Sequence, residues 1–203
     1  MSDENAIPKL VITGHKDGIG KSIADAFWIT YRVKGYDIVD GDDIRQPEVH
    51  ERFIEDCADA EIIILNAHTP DNHLILKELY ETYKDQDKLC IVLGSMVTSK
   101  TFEKIKAKGW GFDRSGYYEQ KAELDKMCAR IANDSDNYGT TIEPFRITML
   151  RLGWVDTKLA TEWKGDLLPT EAVVNTIRHI LVHRYVWHIP TLELQIREHE
   201  NGL

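Results

Sequence analysis

Tyr117 and Lys121 are the residues whose types and spacing point most directly to chemistry. They are four residues apart, which places the phenol and the ammonium one above the other on a helix face. A nearby cation favours the phenolate and lowers the pKa of a tyrosine from its usual value of about 10. Such a tyrosine can exchange a proton with an alcohol or carbonyl oxygen while a hydride moves. Tyr80 and Lys84 have the same spacing, but Tyr117 follows the predicted strand that ends at Ser95, whereas Tyr80 precedes it.

A glycine-rich segment, Thr13–Gly20, lies between an apolar stretch and a helical pattern. This order of strand, glycine turn and helix is typical of a nucleotide-binding unit. Gly14 permits a tight turn, Gly18 lets the backbone approach a pyrophosphate, and Gly20 lets the helix lie close to the strand. The free N–H groups and the positive end of the helix dipole then face the phosphates. The alternative is a glycine turn that connects a strand to a helix without binding a ligand.

The elements around these residues alternate between apolar runs and amphipathic segments, as in a parallel sheet covered by helices. The predicted strands are Leu10–Thr13, Tyr36–Val39, Glu61–Asn66, Leu89–Ser95 and Phe145–Leu152, with Tyr185–Ile189 as a further candidate. The predicted helices run from the glycine turn to about Arg32 and then over Pro47–Cys57, Pro70–Tyr83, about Tyr117–Asn133 and Thr170–His183. The fold class is therefore α/β, a single doubly wound parallel sheet of the Rossmann type.

Small or polar residues follow the predicted strands, and ligands of such sheets bind beyond the carboxyl ends of the strands. We therefore expect one crevice lined by Gly14, Asp40, Asn66, Ser95 and Gly153.

Asp40 is predicted to end the second strand, at a distance from Gly14 where an acidic residue can bind ribose hydroxyls. A carboxylate there repels a 2′-phosphate, which favours NAD and leaves NADP open, since Lys16 and Arg45 could moderate the repulsion. The alternative is that Asp40 is a solvated turn residue.

The order of these motifs resembles the short-chain dehydrogenase/reductase family over nearly the whole chain, from about Pro8 to Ile189. Thr13–Gly20 matches the cofactor motif fully, and Leu65–His68 resembles the Asn-Asn-Ala-Gly motif but keeps only its second Asn and the Ala. Tyr117–Asp125 is similar to the catalytic helix. Leu152–Thr157 resembles the segment Pro-Gly-x-Val-x-Thr, whose backbone and threonine hydroxyl approach the nicotinamide.

The resemblance implies a role for each matching residue. Tyr117 would be the general acid/base, Lys121 would lower its pKa and hold the nicotinamide ribose, Ser95 would orient the substrate oxygen, and Asn72 would complete a proton relay. The implied cofactor-binding residues are Thr13, Gly14, Lys16, Gly18, Ile19, Gly20, Asp40, Asp43, Ile44, Asn66, Ala67, Tyr117, Lys121, Gly153, Val155 and Thr157.

Two departures from the family pattern affect these assignments. Met96 follows Ser95 where a second serine is common, so Thr98 or Ser99 could orient the substrate instead. The stretch from Asp40 to Glu61 is too short for the usual series of elements, so a strand or helix has been trimmed. The segment Asp42-Asp43-Ile44 is then expected to lie against the adenine.

Composition sets the outer bounds. The 203 residues are 42% hydrophobic, which suits one domain over 1–203. Within it we expect a flexible N-terminus at 1–7 and substrate loops at 96–116 and 158–168. A net charge of −9 disfavours nucleic-acid binding, and no apolar run approaches membrane length. Three cysteines without metal-like spacing indicate reduced, mostly buried thiols and no metal site. We expect a cytoplasmic protein and, by resemblance alone, a homodimer or homotetramer.

The sequence therefore predicts an NAD(P)-dependent oxidoreductase that interconverts a small-molecule alcohol and a carbonyl. Two alternatives are an epimerase or dehydratase that uses bound NAD, and a catalytically inactive nucleotide-binding regulatory protein. The identity of the substrate lies beyond the sequence.

Overall fold

The computed structural model describes residues 7–98, 116–135, 144–158, 166–184 and 189–195. The strands are β1 (Lys9–Thr13), β2 (Arg32–Tyr36), β3 (Ala60–Leu65), β4 (Lys88–Ser95), β5 (Phe145–Leu152) and β6 (Thr191–Leu194). The α-helices are α1 (Gly18–Phe27), α2 (Pro47–Asp56), α3 (Asn72–Tyr83), α4 (Tyr117–Ser135) and α5 (Thr170–His183). Two short 3-10 turns cover Ile38–Asp40 and Met96–Thr98.

The six strands form one parallel sheet in the order β2-β1-β3-β4-β5-β6. The chain reverses its direction of travel across the sheet between β1 and β3, which is where ligands of such folds bind. A single α-helix, α2, connects β2 to β3, and β2 is the outermost strand on its side. In the usual dinucleotide-binding sheet another strand lies outside the second one. The predicted trimming of this region is therefore confirmed.

Helices cover both faces of the sheet because successive strand side chains point to opposite sides. Val11 and Ile63 belong to the core that the sheet shares with α2, α3 and α4. Leu10 and Ile62 belong to the core shared with α1 and α5. The Rossmann-type architecture predicted from the sequence is confirmed, and the predicted bounds of β5 and α5 agree with the structure.

The predicted position of the second strand is wrong. Helix α1 ends at Phe27, and β2 runs from Arg32 to Tyr36 in register with β1. Asp40 therefore does not end the strand but lies in the 3-10 turn beyond it. The Asp37 carboxylate accepts a hydrogen bond from the backbone N–H of Val39 at 3.0 Å, and this local bond replaces strand pairing. Ile38 and Val39 suggested a strand by their apolar character, but both are exposed.

The last strand was also predicted too early. Strand β6 occupies Thr191–Leu194 and pairs with β5, whereas Ile189 precedes it and residues 185–188 lie outside the described ranges. Residues 1–6, most of the predicted loop 96–116 and residues 159–165 of the loop 158–168 lie outside them as well. The three cysteines are free and buried, as predicted. None of the helices in the described ranges is long and apolar enough to cross a membrane.

Candidate nucleotide-binding and catalytic site

The glycine turn joins β1 to α1 through backbone geometry that side chains would disturb. Gly14 and Gly18 have positive φ angles of 70° and 53°, which favour glycine. A Cβ on Gly20 would lie 1.8 Å from the carbonyl oxygen of Gly14, so this position needs glycine for close packing of helix and turn. Asp17 caps α1 by accepting a hydrogen bond from Gly18 N at 2.8 Å. Ile19 is partly buried and packs on the core beneath the turn.

Residues that follow β3 hold this turn in place. The Asn66 amide donates to the carbonyl oxygens of Thr13 at 3.0 Å and Gly14 at 2.8 Å. The Thr13 hydroxyl in turn accepts from the backbone N–H groups of Asn66 at 3.1 Å and Ala67 at 3.0 Å. The predicted residues Thr13, Gly14, Asn66 and Ala67 thus form one hydrogen-bonded unit at the point where the sheet reverses direction.

The acidic residue that directly follows β2 is Asp37, which is not among the residues predicted from the sequence. Its carboxylate accepts from the backbone N–H of Lys16 at 3.0 Å, so it lies beside the glycine turn. Asp40 instead lies 3.0 Å from the Lys16 ammonium and 3.4 Å from His15 Nε2. The distance in sequence from Gly14 is compatible with either Asp37 or Asp40 as the acidic residue after the second strand. The register of β2 against β1 places Asp37, and not Asp40, directly after the strand.

His15 explains the glycine in the edge strand. A Cβ on Gly35 would lie 2.3 Å from the His15 ring, so the imidazole packs directly on the β2 backbone.

The segment Asp42-Asp43-Ile44, which is predicted to contact the adenine, is held by an ion pair and by burial of one side chain. The Asp43 carboxylate binds the Arg45 guanidinium at 2.8 and 2.7 Å, and this hydrogen bonding lowers the pKa of Asp43 to about 2. The Ile44 side chain is buried in the core. Contact of Asp43 and Ile44 with an adenine stays a prediction, in which Ile44 would take part through its backbone.

The segment after β5 reaches the glycine turn from the other side. A Cβ on Gly18 would lie 3.3 Å from the Thr157 methyl carbon, and the Lys158 ammonium lies 3.0 Å from the Asp17 carboxylate. Gly153 donates its N–H to Leu194 O of β6 at 2.8 Å, and Val155 is buried and bridges to Leu168. The structure therefore places the late motif and the glycine motif together, although they are far apart in sequence.

Tyr117 and Lys121 are both on α4. The Lys121 ammonium lies 5.8 Å from the centre of the Tyr117 ring and donates to Leu93 O of β4 at 3.2 Å. Lys121 is buried, and this burial lowers its pKa to about 8 against the opposing effect of the Asp125 carboxylate. The His68 ring lies 4.9 Å, centre to centre, from the Tyr117 ring. In the sequence, His68 stands out only as a departure from the family motif.

The remaining predicted residues surround the end of β4 and the start of α3. The Ser95 hydroxyl oxygen accepts from Val97 N at 3.3 Å, which leaves its own proton to donate, whereas the Thr98 hydroxyl donates to Ser95 O at 2.9 Å. Ser99 lies outside the described residues.

Asn72 closes the loop between β3 and α3. Its amide donates to Ala67 O at 2.6 Å and its amide oxygen accepts from the Thr69 hydroxyl at 2.8 Å. Neither bond reaches Lys121, so a proton relay through Asn72 stays a prediction. Within the described ranges, no group of three or more His, Cys, Asp or Glu side chains is arranged to hold a metal ion.

No protein-family model matches the chain, and no curated protein matches it in sequence. Solved structures do match it. A short-chain dehydrogenase from Burkholderia cenocepacia in complex with NADP has 13% identity and a TM-score of 0.67, covering 94% of this chain and 89% of that one. The 3-alpha-hydroxysteroid dehydrogenase from a Pseudomonas species, complexed with NADH, has 15% identity and a TM-score of 0.67, covering 91% and 94%. An alcohol dehydrogenase from Thermococcus sibiricus, complexed with 5-hydroxy-NADP, has 16% identity and a TM-score of 0.65, covering 94% and 99%.

At these identities the likeness concerns the fold. The chain has the fold of short-chain dehydrogenases over nearly its whole length, and the resemblance inferred from the motifs is confirmed at that level.

Proposed function

We propose that this protein is an NAD(P)-dependent oxidoreductase of the short-chain dehydrogenase/reductase type, which interconverts an alcohol and a carbonyl. The observation that supports this best is the strip Asn66-Ala67-His68 after β3. At one end, Asn66 holds the glycine turn by its bond to Gly14 O. At the other end, His68 packs on Tyr117. One short strip of chain therefore connects the glycine turn, our candidate for nucleotide binding, to Tyr117, our candidate for proton transfer.

The residues around the glycine turn fit a dinucleotide. A Cβ at Gly18 would fill the space beside Thr157, and the N-terminus of a helix such as α1 favours a negatively charged group. When bound, a nicotinamide cofactor supplies the hydride donor or acceptor. The chain itself would bind the pyrophosphate at Gly18 and Ile19 and the nicotinamide end at Gly153, Val155 and Thr157.

Tyr117 would transfer the proton. In the direction of oxidation its phenolate would take the proton of the substrate hydroxyl, and in reduction its phenol would return it. The Lys121 ammonium, 5.8 Å from the ring centre, stabilises the phenolate electrostatically. The Ser95 hydroxyl oxygen accepts from Val97 N, so its own proton stays available to bind the substrate oxygen.

Asp37 would select the cofactor in place of Asp40. A carboxylate that directly follows the second strand accepts hydrogen bonds from the ribose hydroxyls and repels a 2′-phosphate. The Lys16 ammonium is paired with Asp40, so it does not offset this repulsion fully. We therefore expect NAD to bind more tightly than NADP. We also expect a cytoplasmic protein and, by resemblance alone, a homodimer or homotetramer.

The function is tested in two stages. Calorimetric titration with NADH and NADPH measures binding, and Gly18→Val should abolish it while the protein stays folded. A panel of small aldehydes, ketones and sugars, followed by the absorbance of NAD(P)H, then identifies a substrate. Tyr117→Phe should lower turnover by about 10²–10⁴-fold with little change in cofactor affinity.

Tyr80→Phe is the control, because Tyr80 and Lys84 have the same spacing but Tyr80 is buried against Phe145. It should leave turnover unchanged. Tight cofactor binding without turnover on any member of the panel would favour the regulatory alternative. Absence of cofactor binding in the unaltered protein would refute the proposal.

A further inference from the structure

Lys121 is a buried cation without a close carboxylate partner among the described residues. Its side chain is 6% exposed, and its ammonium donates to a neutral acceptor, Leu93 O. The charged form of such a group is destabilised by loss of hydration unless nearby charge compensates it. The proposed function needs this cation, both beside Tyr117 and at the cofactor ribose.

Asp125 follows Lys121 by one helical turn on α4, and its negative charge opposes the effect of burial on the Lys121 pKa. That carboxylate is shared with a second cation. Arg151 of β5 binds it through Nε at 3.3 and 3.1 Å and through Nη2 at 2.9 Å. Glu193 of β6 then fixes the other end of the guanidinium, with Arg151 Nη1 3.2 Å from its carboxylate. The Asp125 side chain is 12% exposed, so this pairing is weakly screened by water.

We propose that Asp125 and Arg151 act as positioning residues that set the charge of Lys121 and thereby the pH above which the site loses its cation. Asp125 favours the charged ammonium through its negative field. Arg151 binds the same carboxylate, and its positive charge reduces the negative field of Asp125 at Lys121. Glu193 keeps the guanidinium in this position. The two residues therefore have opposite effects on Lys121, although they form one ion pair.

Other groups around Lys121 do not reproduce this opposition. Tyr117 and Cys128 are on the same helix, and burial raises the pKa of the Cys128 thiol, so it stays neutral. Cys90 of β4 is neutral for the same reason. On α3, His73 interacts with Glu123.

The consequence for catalysis rests on the proposed function, but the charge of Lys121 is measurable without cofactor or substrate. The full chain is labelled with ¹³C at the lysine ε carbon, and each lysine is titrated by NMR. Lys121→Arg identifies the resonance. Asp125→Asn should lower the titration midpoint of Lys121 by about half a pH unit, and Arg151→Gln should raise it by about the same amount.

Lys126 is an internal reference, because it is on the same helix but exposed and paired with Glu123. Glu61→Gln is the control variant, since it breaks an ion pair with Arg184 at the opposite end of the sheet. Neither should move the Lys121 midpoint. Asp125→Glu and Arg151→Lys keep the charges, so the Lys121 midpoint in these variants should stay close to that of the unaltered protein. If one variant fails to fold, the others still test the proposal.

Midpoints that do not move, or that move in the same direction in Asp125→Asn and Arg151→Gln, would overturn the proposal. Opposite shifts support it even if the protein fails to bind NADH, in which case the proposed function alone fails. If the protein is active, the alkaline limb of its kcat/KM profile should shift in the same directions as the Lys121 midpoint.

Discussion

Replacing Lys121 with methionine should abolish catalysis and make the protein more stable. Methionine keeps most of the apolar stem of lysine and removes the charge. The buried ammonium has a neutral hydrogen-bond partner, Leu93 O, so its burial is poorly compensated. A residue that costs stability where it lies is expected at a functional site.

The size and sign of this effect follow from the pKa of Lys121. Burial lowers it from 10.5 to about 8, a change that corresponds to about 3 kcal/mol. Below the folded value the ammonium is charged in both states, and the full cost acts against folding. As the pH rises towards 10.5, the folded state has released its proton while the unfolded state still holds it, so this cost disappears. Loss of the bond to Leu93 O subtracts about 1 kcal/mol. We therefore expect Lys121→Met to raise the free energy of unfolding by about 2 kcal/mol near neutral pH.

Urea unfolding of both proteins, near neutral pH and again near pH 10, measures this difference. Other groups that titrate in this range are present in both proteins and cancel in the comparison. Lys88→Met is the matched control. Lys88 is also buried, but its ammonium donates to three backbone carbonyls, those of Cys57 at 2.8 Å, Ala58 at 2.7 Å and Ala60 at 2.9 Å.

Burial lowers the pKa of Lys88 as well, but its ammonium has three carbonyl acceptors where that of Lys121 has one. Lys88→Met should therefore lower the free energy of unfolding by about 1–3 kcal/mol, because three carbonyls lose a charged donor. Opposite signs for two buried lysines would distinguish a functional cation from a structural one. A Lys121→Met protein that is less stable than the unaltered protein near neutral pH would refute this explanation, and so would a gain in stability that does not shrink as the pH rises.

Two pairs of substitutions test the glycine turn and the end of β2. Gly20→Ala should lower the free energy of unfolding by about 1–3 kcal/mol in urea titrations, because its Cβ would lie 1.8 Å from Gly14 O. Gly41→Ala should lower the free energy of unfolding by less, since nothing lies within 4 Å of the added Cβ and the only strain comes from the positive φ of 82°. Asp37→Asn should narrow the preference for NADH over NADPH in calorimetric titrations, whereas Asp40→Asn should change it less. A larger effect at Asp40 would restore the original assignment.

The sequence by itself determined that the chain forms a parallel sheet, and it determined the glycine turn and the helix that bears Tyr117, but it misplaced the second and last strands. These are local patterns: a continuous apolar run predicts a buried parallel strand, and glycine at fixed spacing predicts a turn that no other residue fits. Strand β5 and helix α5 were predicted with their observed bounds because the pattern of apolar residues in each segment matches the residues that the structure buries. The shortened connection between the second and third strands also followed from chain length alone.

The tertiary structure alone decided which residues face one another. The register of β2 against β1, rather than local propensity, places Asp37 at the end of the strand and Asp40 beyond it. The contact of His68 with Tyr117 and the pairing of Asp125 with Arg151 join residues far apart in sequence. Neither leaves a local pattern, since each depends on how helices pack on the sheet. The charge of Lys121 depends on this packing too, because burial and the sharing of one carboxylate act through space.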